Sequence, residues 1–178
     1  KVVKKYLIGN DLNNRPDCSP SRYVIDFQDW QIERCKKYDG LFEIVHNRVY
    51  FERQKKKGKE YREKWWLFGR RAVAMYKKFE KLPSVFATAK TTKYIGFIKI
   101  NKQDIVLDQS LTIVTSNKWS LFSIAQSSIH DKWSRKYGTT HESRARYNNT
   151  DCFETFPFLQ NLATETRDEL DTIGEAYH

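Results

Sequence analysis

Glycine-rich loops, metal-binding spacings and long apolar runs are all missing from this 178-residue sequence. None of its seven glycines falls into a Gly-x-Gly pattern, which excludes a dinucleotide-binding loop and a methyl-donor glycine motif. Its three cysteines are an odd number without close spacing, which argues against a disulfide framework and a structural zinc site. No apolar run approaches the roughly 18 residues that span a bilayer, and no signal-peptide region occurs. We therefore expect a cytoplasmic protein with reduced thiols and no membrane partner.

Motifs for catalysis are missing as well. Gly58-Lys59-Glu60 lacks the upstream glycine and the Ser or Thr of a Walker A loop. No Asn-Pro-Pro-aromatic tetrapeptide of an adenine methyltransferase occurs, and no acidic-x-Lys triplet follows Pro16-Asp17 to complete a nuclease site. The four histidines have no metal-ligand spacing, and His130 on a predicted helix favours a structural hydrogen bond. The sequence thus predicts neither a catalytic residue nor a metal site in this chain.

What the sequence does have is positive charge and aromatic residues. The net charge is +10, the pI is about 9.5, the mean hydropathy is −0.75 and 15% of residues are aromatic, which indicates a folded domain with a basic surface. Residues 53–81 hold twelve basic and three acidic side chains, whereas residues 164–177 hold five acidic and one basic. This uneven distribution of charge favours a nucleic-acid partner. The alternative is a solvated helix face with i,i+4 ion pairs.

The hydrophobic pattern predicts an α+β fold, with a twisted, mainly antiparallel sheet and packed helices. Residues 84–115 have the composition of a three-stranded meander. Residues 119–137 predict one helix with an apolar stripe, residues 147–158 an aromatic strand, and residues 161–177 a last helix. The stripe of the first helix consists of Phe122, Ala125, Ile129 and Trp133, and the buried side of the last helix consists of Leu162, Leu170, Ile173 and Tyr177.

An ordered series of motifs lies in the second half of the chain: Ser127-Ser128-Ile129-His130-Asp131-Lys132-Trp133, Gly138, Arg144-Ala145-Arg146-Tyr147 and Asp151-Cys152-Phe153-Glu154-Thr155-Phe156-Pro157-Phe158. The first half adds Tyr6-Leu7-Ile8-Gly9-Asn10-Asp11, Arg22-Tyr23-Val24-Ile25-Asp26-Phe27 and Trp65-Trp66. The series resembles the target-recognition domain of large type IIG restriction–modification enzymes, single chains that fuse an endonuclease, an N6-adenine methyltransferase and a DNA-reading domain.

The resemblance implies a module that recognises double-stranded DNA in a sequence-specific way and is not catalytic alone. Residues 1–160 would be the target-recognition domain, and residues 161–178 would begin a C-terminal spacer helix. The chain, which starts at Lys1 and has Met75 as its only methionine, would be a piece of a larger protein. The methyltransferase domain of the same chain would be its partner. S-adenosylmethionine and Mg²⁺ are expected in the parent enzyme, and no cofactor is expected in this piece.

In the resembling enzymes a specificity position lies on the loop after the Ser-x-x-His-x-x-Trp helix. That loop here carries Glu142, Arg144 and Arg146, which are the base-reading candidates. On an extended loop Glu142 and Arg144 point the same way and can read the two sides of one C·G pair, because Glu accepts from cytosine and Arg pairs with guanine. Arg146 would continue that face. Without the resemblance, a Glu–Arg surface pair of little energetic value would be the favoured interpretation.

Lysines and arginines that grip phosphates supply affinity without sequence information. The candidates for the DNA backbone are Arg53, Lys55, Lys56, Lys57, Lys59, Lys90 and Lys93. Ser127, His130, Trp133 and Phe156 are expected to be scaffold, and Tyr23 and Trp65 to pack in the core. An RNA-binding or protein-interaction domain with a basic face remains the alternative, although the sheet aromatics and the Gly-x-x-Gly loop of common RNA modules are missing.

Overall fold

The structure, a computed structural model, describes residues 1–69, 72–101, 105–141 and 144–178. Its strands are Val3–Leu7 (β1), Arg22–Ile25 (β2), Ser84–Ala89 (β3), Thr91–Thr92 (β4), Ile98–Asn101 (β5), Ile105–Leu107 (β6), Leu111–Val114 (β7), Thr139–His141 (β8) and Arg144–Arg146 (β9). Its α-helices are Gly9–Asn14 (α1), Ile32–Lys36 (α2), Asp39–Val45 (α3), Phe51–Gln54 (α4), Lys59–Glu63 (α5), Val73–Phe79 (α6), Trp119–Ala125 (α7), Ser128–Tyr137 (α8) and Thr164–Tyr177 (α9). His46–Tyr50 and Asn149–Phe153 are π-helical.

The strands of this described part form three small sheets, with the orders β2-β1-β6, β5-β3-β7 and β4-β9-β8. Every pair is antiparallel except β1 and β6, which run parallel with Lys5 opposite Ile105. The predicted α+β class with mainly antiparallel strands is confirmed. The predicted meander over residues 84–115 is wrong, because β3 lies between β5 and β7 while β6 pairs with β1. The reason is a long-range contact: Leu7 and Leu107 are buried in the same hydrophobic cluster.

Strand β3 joins two hydrophobic cores. All six of its residues are buried, as expected for a central strand covered on both faces. Because side chains alternate along a strand, Val85 and Ala87 face one cluster with Phe79 of α6, whereas Phe86 faces the other cluster with Phe122 of α7. The second cluster also contains Tyr147, the residue that follows β9. The third sheet is thereby fixed to the core of the domain.

A third cluster supports the helices of the first half. It contains Val2, Phe27, Cys35, Val45, Trp65 and Leu67. The Trp65 ring lies 5.5 Å from Phe42 and 5.1 Å from Tyr50, measured between ring centroids. The predicted core position of Trp65 is confirmed, but the prediction for Tyr23 is wrong, since that side chain is 69% exposed on β2.

The single helix predicted over residues 119–137 is two helices. Ser127 is the N-cap of α8, and its hydroxyl accepts a 3.2 Å hydrogen bond from the His130 backbone N–H. This break rotates α8 relative to α7, so Ile129, predicted within the apolar stripe, is 70% exposed. Buried His130 takes the inward position instead.

The aromatic strand predicted over residues 147–158 is also wrong. Asn148 is the N-cap of a π-helical segment, and its side chain accepts a 2.7 Å hydrogen bond from the backbone N–H of Asp151. This cap competes with strand pairing because it satisfies the backbone locally. Aromatic content alone therefore predicted the wrong element here.

The last helix, α9, packs along α7. Gly174 is buried against it: a Cβ atom there would lie 2.5 Å from the carbonyl oxygen of Trp119. The Asp171 carboxylate accepts a hydrogen bond from the backbone N–H of Ser120 in the first turn of α7. Ile173, predicted to face inward together with Tyr177, is 58% exposed because the glycine makes the close approach in its place. The exposed fraction of Tyr177 is 71%.

Candidate functional site

The hairpin formed by β8 and β9 presents two arginines on one face. Arg144 and Arg146 are exposed, while Ala145 between them is 6% exposed. This is the alternation of a strand that covers a core with one face and meets solvent with the other. The expectation that Arg146 continues the face of Arg144 therefore holds in the structure. Glu142, the third base-reading candidate, lies outside the described residues.

Strand register identifies the neighbours of these arginines. Arg146 lies opposite Thr91 of β4 on one side and opposite Thr139 of β8 on the other. Directly opposed residues in an antiparallel pair project to the same face, so two threonines flank the Arg146 side chain. Thr92 lies opposite Ala145 and is buried, and its hydroxyl donates a 2.8 Å hydrogen bond to the carbonyl oxygen of Tyr94.

Buried contacts hold the hairpin from behind. The Tyr147 backbone N–H donates a 2.7 Å hydrogen bond to the carbonyl oxygen of Lys90, and its ring is 1% exposed. The Tyr147 hydroxyl lies 3.3 Å from Nε2 of His130. Nδ1 of His130 donates to the Ala125 carbonyl oxygen at 2.8 Å, so its other ring nitrogen accepts from the tyrosine when the ring is neutral. The structural role expected for His130 is consistent with these contacts.

Burial sets the protonation of this pair. It lowers the pKa of His130, although the carbonyl oxygens of Ala125 and Cys152 oppose that shift. Burial also raises the pKa of Tyr147 far above its ordinary value. Both side chains are therefore neutral near pH 7, which suits a rigid support better than proton transfer.

The two lysines of this region differ in their surroundings. Lys90 is half-buried, and its backbone N–H and carbonyl pair with Ser110 and Tyr147. Lys93 is exposed, and its carbonyl oxygen accepts a 3.1 Å hydrogen bond from Nη2 of Arg135 on α8. Arg135 is in turn held by Asp131, with 2.8 Å between Nε and the carboxylate. Lys93 is therefore the more accessible of the two predicted backbone contacts.

The basic segment of residues 53–59 lies on the helices of the third cluster. Its turn carries Lys55, Lys56 and Lys57, all exposed. The Arg62 guanidinium fixes this turn by donating to the carbonyl oxygens of Lys56 and Lys57 at 2.8 and 2.9 Å. A positively charged turn with a fixed backbone is suited to contact with phosphate.

Several cations of this segment, Lys56 of the turn among them, have partners within the chain. The Arg53 guanidinium lies 5.0 Å from the Tyr61 ring centroid. Two i,i+4 ion pairs are present, Lys56–Glu52 at 3.8 Å and Lys59–Glu63 at 3.6 Å. Such pairs are typical of a solvated helix face, the alternative to a nucleic-acid contact for this segment.

The structure thus brings Arg144, Arg146 and Lys93 into one small sheet and its adjoining loop, and builds the 53–59 turn on a different core. Sequence reasoning missed Thr139 and Arg135, which become neighbours of the candidates only through strand pairing and through packing of α8. The scaffold role expected for Trp133 and Phe156 fits their half-buried rings, whose centroids lie 5.8 Å apart.

A cavity of about 710 Å³ lies elsewhere, between α6 and the β2-β1-β6 sheet. Four of its polar side chains bind one another: Lys4 pairs with Asp26 at 2.8 Å, and the Tyr6 hydroxyl donates to Asp108. Hydrogen bonds from Ser110 and Tyr6 hold the pKa of Asp108 below its usual range despite burial. These four side chains are therefore engaged in contacts within the fold.

Within the described ranges, no group of three or more His, Cys, Asp or Glu side chains could hold a metal ion. No helix in that same part of the chain is long and apolar enough to cross a membrane. The three cysteines are free, and Cys35 and Cys152 are buried.

Comparison with known proteins agrees with this architecture. One similar fold is that of the type IIL restriction–modification enzyme MmeI, solved in complex with DNA, with a TM-score of 0.73 and 15% sequence identity. The match covers 98% of this chain and 22% of the MmeI chain. No curated protein matches the sequence. The family model of the MmeI target recognition domain matches residues 1–160. The chain therefore belongs to the family of MmeI target recognition domains.

Proposed function

We propose that this chain is the module of a restriction–modification enzyme that recognises a specific sequence in double-stranded DNA. One observation carries the proposal: β9 projects Arg144 and Arg146 from one exposed face of a sheet whose other face is anchored in the core. Family membership over residues 1–160 supports the same function. In the major groove arginine pairs bidentately with guanine, a contact that two exposed arginine side chains on one face can make.

Base reading is assigned to Glu142, Arg144 and Arg146. In this proposal Arg144 reads guanine, and Glu142 accepts from the cytosine of the same pair. Arg146, with Thr91 and Thr139 beside it, contacts the neighbouring step. Each bidentate pair contributes about 1–3 kcal/mol of discrimination against a wrong base.

The phosphate contacts are assigned to the 53–59 turn and to Lys93, with Lys90 in a secondary place. Arg53, Lys55, Lys56, Lys57 and Lys59 would add affinity to every sequence alike. The parent is proposed to be a type IIG enzyme that methylates adenine at N6 and uses S-adenosylmethionine and Mg²⁺ in its other domains. This chain would supply recognition and no chemical step, with the methyltransferase domain as its partner in the cytoplasm.

The test is a fluorescence-anisotropy titration of this chain with random duplex DNA, single-stranded DNA and duplex RNA at several salt concentrations. Preferential binding to duplex DNA that weakens steeply with salt is the expected result. Binding to duplex RNA in preference, or to no nucleic acid at low salt, would replace the proposal with the RNA or protein-partner alternative.

Selection of preferred sites from a random duplex library then separates the two roles. Arg144→Ala is expected to relax the selected sequence at one position, whereas Lys55→Ala should weaken binding to all sequences and reduce the salt slope by about 1. In the parent enzyme, Glu142→Lys combined with Arg144→Asp should change the accepted base at that position. Unchanged methylation and cleavage sites would contradict the assignment of this pair.

A further inference from the structure

A second cationic surface lies next to the hairpin and is assembled from separate parts of the sequence. The chain runs from β4 through Lys93 to Tyr94, antiparallel to β9 and therefore towards its Arg144 end. Lys93 directly follows β4 and is exposed, whereas Thr92 before it is buried. The exposed surface of the hairpin thus continues into this loop.

The loop is held in place by α8. Arg135 bridges Asp131 on its own helix and the carbonyl oxygen of Lys93, at 2.8 and 3.1 Å. A hydrogen bond from the Thr92 hydroxyl to the Tyr94 carbonyl oxygen fixes the next residue. The Tyr94 ring nevertheless remains 72% exposed, with the Lys93 ammonium 5.2 Å from its centroid. An aromatic ring and a cation are therefore presented to solvent on a backbone that is already ordered.

Helix α8 adds positive charge beside this loop. Lys132 lies three residues before Arg135, which places both side chains on one face of the helix, and Lys132 is exposed. The acidic residue on this face, Asp131, is neutralised by its pairing with Arg135. The net charge of the surface formed by Lys93, Lys132 and the Arg135–Asp131 pair is consequently positive.

We propose that Lys93, Tyr94 and Lys132 grip the phosphate–sugar backbone of the duplex next to the bases that the hairpin reads. This inference rests on the proposed function. The two ammonium groups bind phosphates, and the Tyr94 ring packs on a deoxyribose with its hydroxyl free to donate to a phosphate oxygen. Arg135 is a positioning residue, since its guanidinium is used to hold the loop. The surface would anchor the hairpin at its Arg144 end and so fix the register of base reading.

The test compares Lys93→Ala/Lys132→Ala with Lys36→Ala/Lys37→Ala, which removes the same charge from two exposed lysines at the end of α2. Anisotropy titrations with duplex DNA over a range of salt give the slope of log K against log[salt]. Each lost phosphate contact reduces the magnitude of this slope by about 0.9. The slope of Lys93→Ala/Lys132→Ala should therefore fall by about 1.8 in magnitude, and that of the control should stay nearly unchanged. The loss should be the same for every duplex sequence.

Equal slopes for the two variants, with the unchanged chain still binding duplex DNA, would overturn this inference and leave the recognition function intact. Failure of the unchanged chain to bind duplex DNA would overturn both. A loss confined to one sequence would also overturn it, because that result assigns base reading to Lys93 or Lys132.

A double-mutant cycle tests the role of Arg135. Arg135→Ala should weaken binding in the unchanged chain and have no further effect in Lys93→Ala/Tyr94→Ala, because the loop it positions no longer makes contacts. An equal loss in both backgrounds would show that Arg135 contacts DNA itself and would overturn its assignment as a positioning residue.

Discussion

The Tyr147 hydroxyl lies 3.3 Å from Nε2 of His130, in a buried site immediately after Arg146 in the chain. The ring of His130 is surrounded by aromatic rings, among them Phe156 with a centroid distance of 4.8 Å. The backbone of the candidate reading strand is thus fixed by a neutral polar pair within an aromatic core. We therefore expect the stability of the domain and the presentation of Arg146 to depend on the same two side chains.

The buried imidazole makes stability depend on pH. Burial lowers the pKa of His130 in the folded chain below its ordinary value of 6.5, so the unfolded chain binds more protons as the pH falls. The free energy of unfolding should be level above this value and should decrease below it, by at most about 1.4 kcal/mol per pH unit for this one group. Urea unfolding between about pH 7.5 and about 5 measures the decrease. This pH range lies above the one in which carboxylates titrate.

An NMR titration of the His130 ring provides the direct check. The ring should remain neutral in the folded protein at a pH at which an exposed histidine is half protonated. A His130 resonance that titrates at the ordinary value would contradict this account of the pH dependence.

Removing the Tyr147 hydroxyl should destabilise the domain without leaving a cavity, because the ring remains in place. Tyr147→Phe keeps the edge-to-face contact with Phe97, at 5.5 Å between centroids, and loses the hydrogen bond to His130. We expect a decrease of about 1 kcal/mol in the free energy of unfolding, measured in urea at pH 7.5. Tyr23→Phe, at a residue 69% exposed, is the matched control and should change nothing. A neutral result for Tyr147→Phe would mean that the hydroxyl contributes no net stability.

The sequence predicted those features that depend on neighbouring residues. The period of two along a strand was enough to place Arg144 and Arg146 on one face, and composition was enough for the α+β class. The break between α7 and α8 was missed, although Ser127 is a good N-cap, because the apolar stripe was followed across it. Local signals of capping were present in the sequence and were outweighed by periodicity.

Local sequence patterns do not predict which distant segments pair. Lys5 and Ile105 are partners in a parallel pair although 100 positions separate them, and nothing in either segment specifies the other. The same is true of the contact between Arg135 and Lys93, which depends on how α8 packs against the loop after β4. The run of lysines at residues 55–57 was conspicuous in the sequence, whereas the cationic surface around Lys93 exists only in the fold.

Gly138 should be sensitive to substitution although its backbone is extended. Its φ is −73°, so a side chain meets no conformational strain. A Cβ atom, however, would lie 2.5 Å from the Ser134 carbonyl oxygen and 2.9 Å from Sγ of Cys152. Gly138→Ala should therefore displace β8 from the end of α8 and cost about 1–3 kcal/mol in unfolding free energy. Gly96→Ala, where no atom lies within 4 Å of the added Cβ, controls for the substitution.

Thermal unfolding and site selection together measure the consequence of Gly138→Ala. A lower melting temperature is expected, together with a less defined selected sequence, because β8 carries Thr139 beside Arg146. Destabilisation equal to that of Gly96→Ala would mean that the hairpin tolerates the added methyl group.

Gly174 allows the close docking of α9 on α7, and Gly40 provides a control for its substitution within the same chain. Gly40 in α3 and Gly174 in α9 both lie in helices, and alanine at such a position ordinarily stabilises by up to about 1 kcal/mol. At Gly40 the added Cβ meets nothing within 4 Å, so that gain should appear. At Gly174 the Cβ would lie 2.5 Å from both the Ser123 hydroxyl and the Trp119 carbonyl oxygen. Gly174→Ala should therefore destabilise and move α9 away from α7.

Movement of α9 has a spectroscopic signature, since Trp119 lies beneath the C-terminus with its ring 5.3 Å from that of His178. The chain has five tryptophans, so the readout is the change in quenching of the total tryptophan emission. In Gly174→Ala the exposure of the Trp119 ring should increase quenching by acrylamide, and in Gly40→Ala it should not. A helix that belongs to the domain would transmit its displacement to the melting temperature as well. If quenching increases while the melting temperature stays level, α9 is an attached segment that the domain does not need, as expected for the start of a spacer.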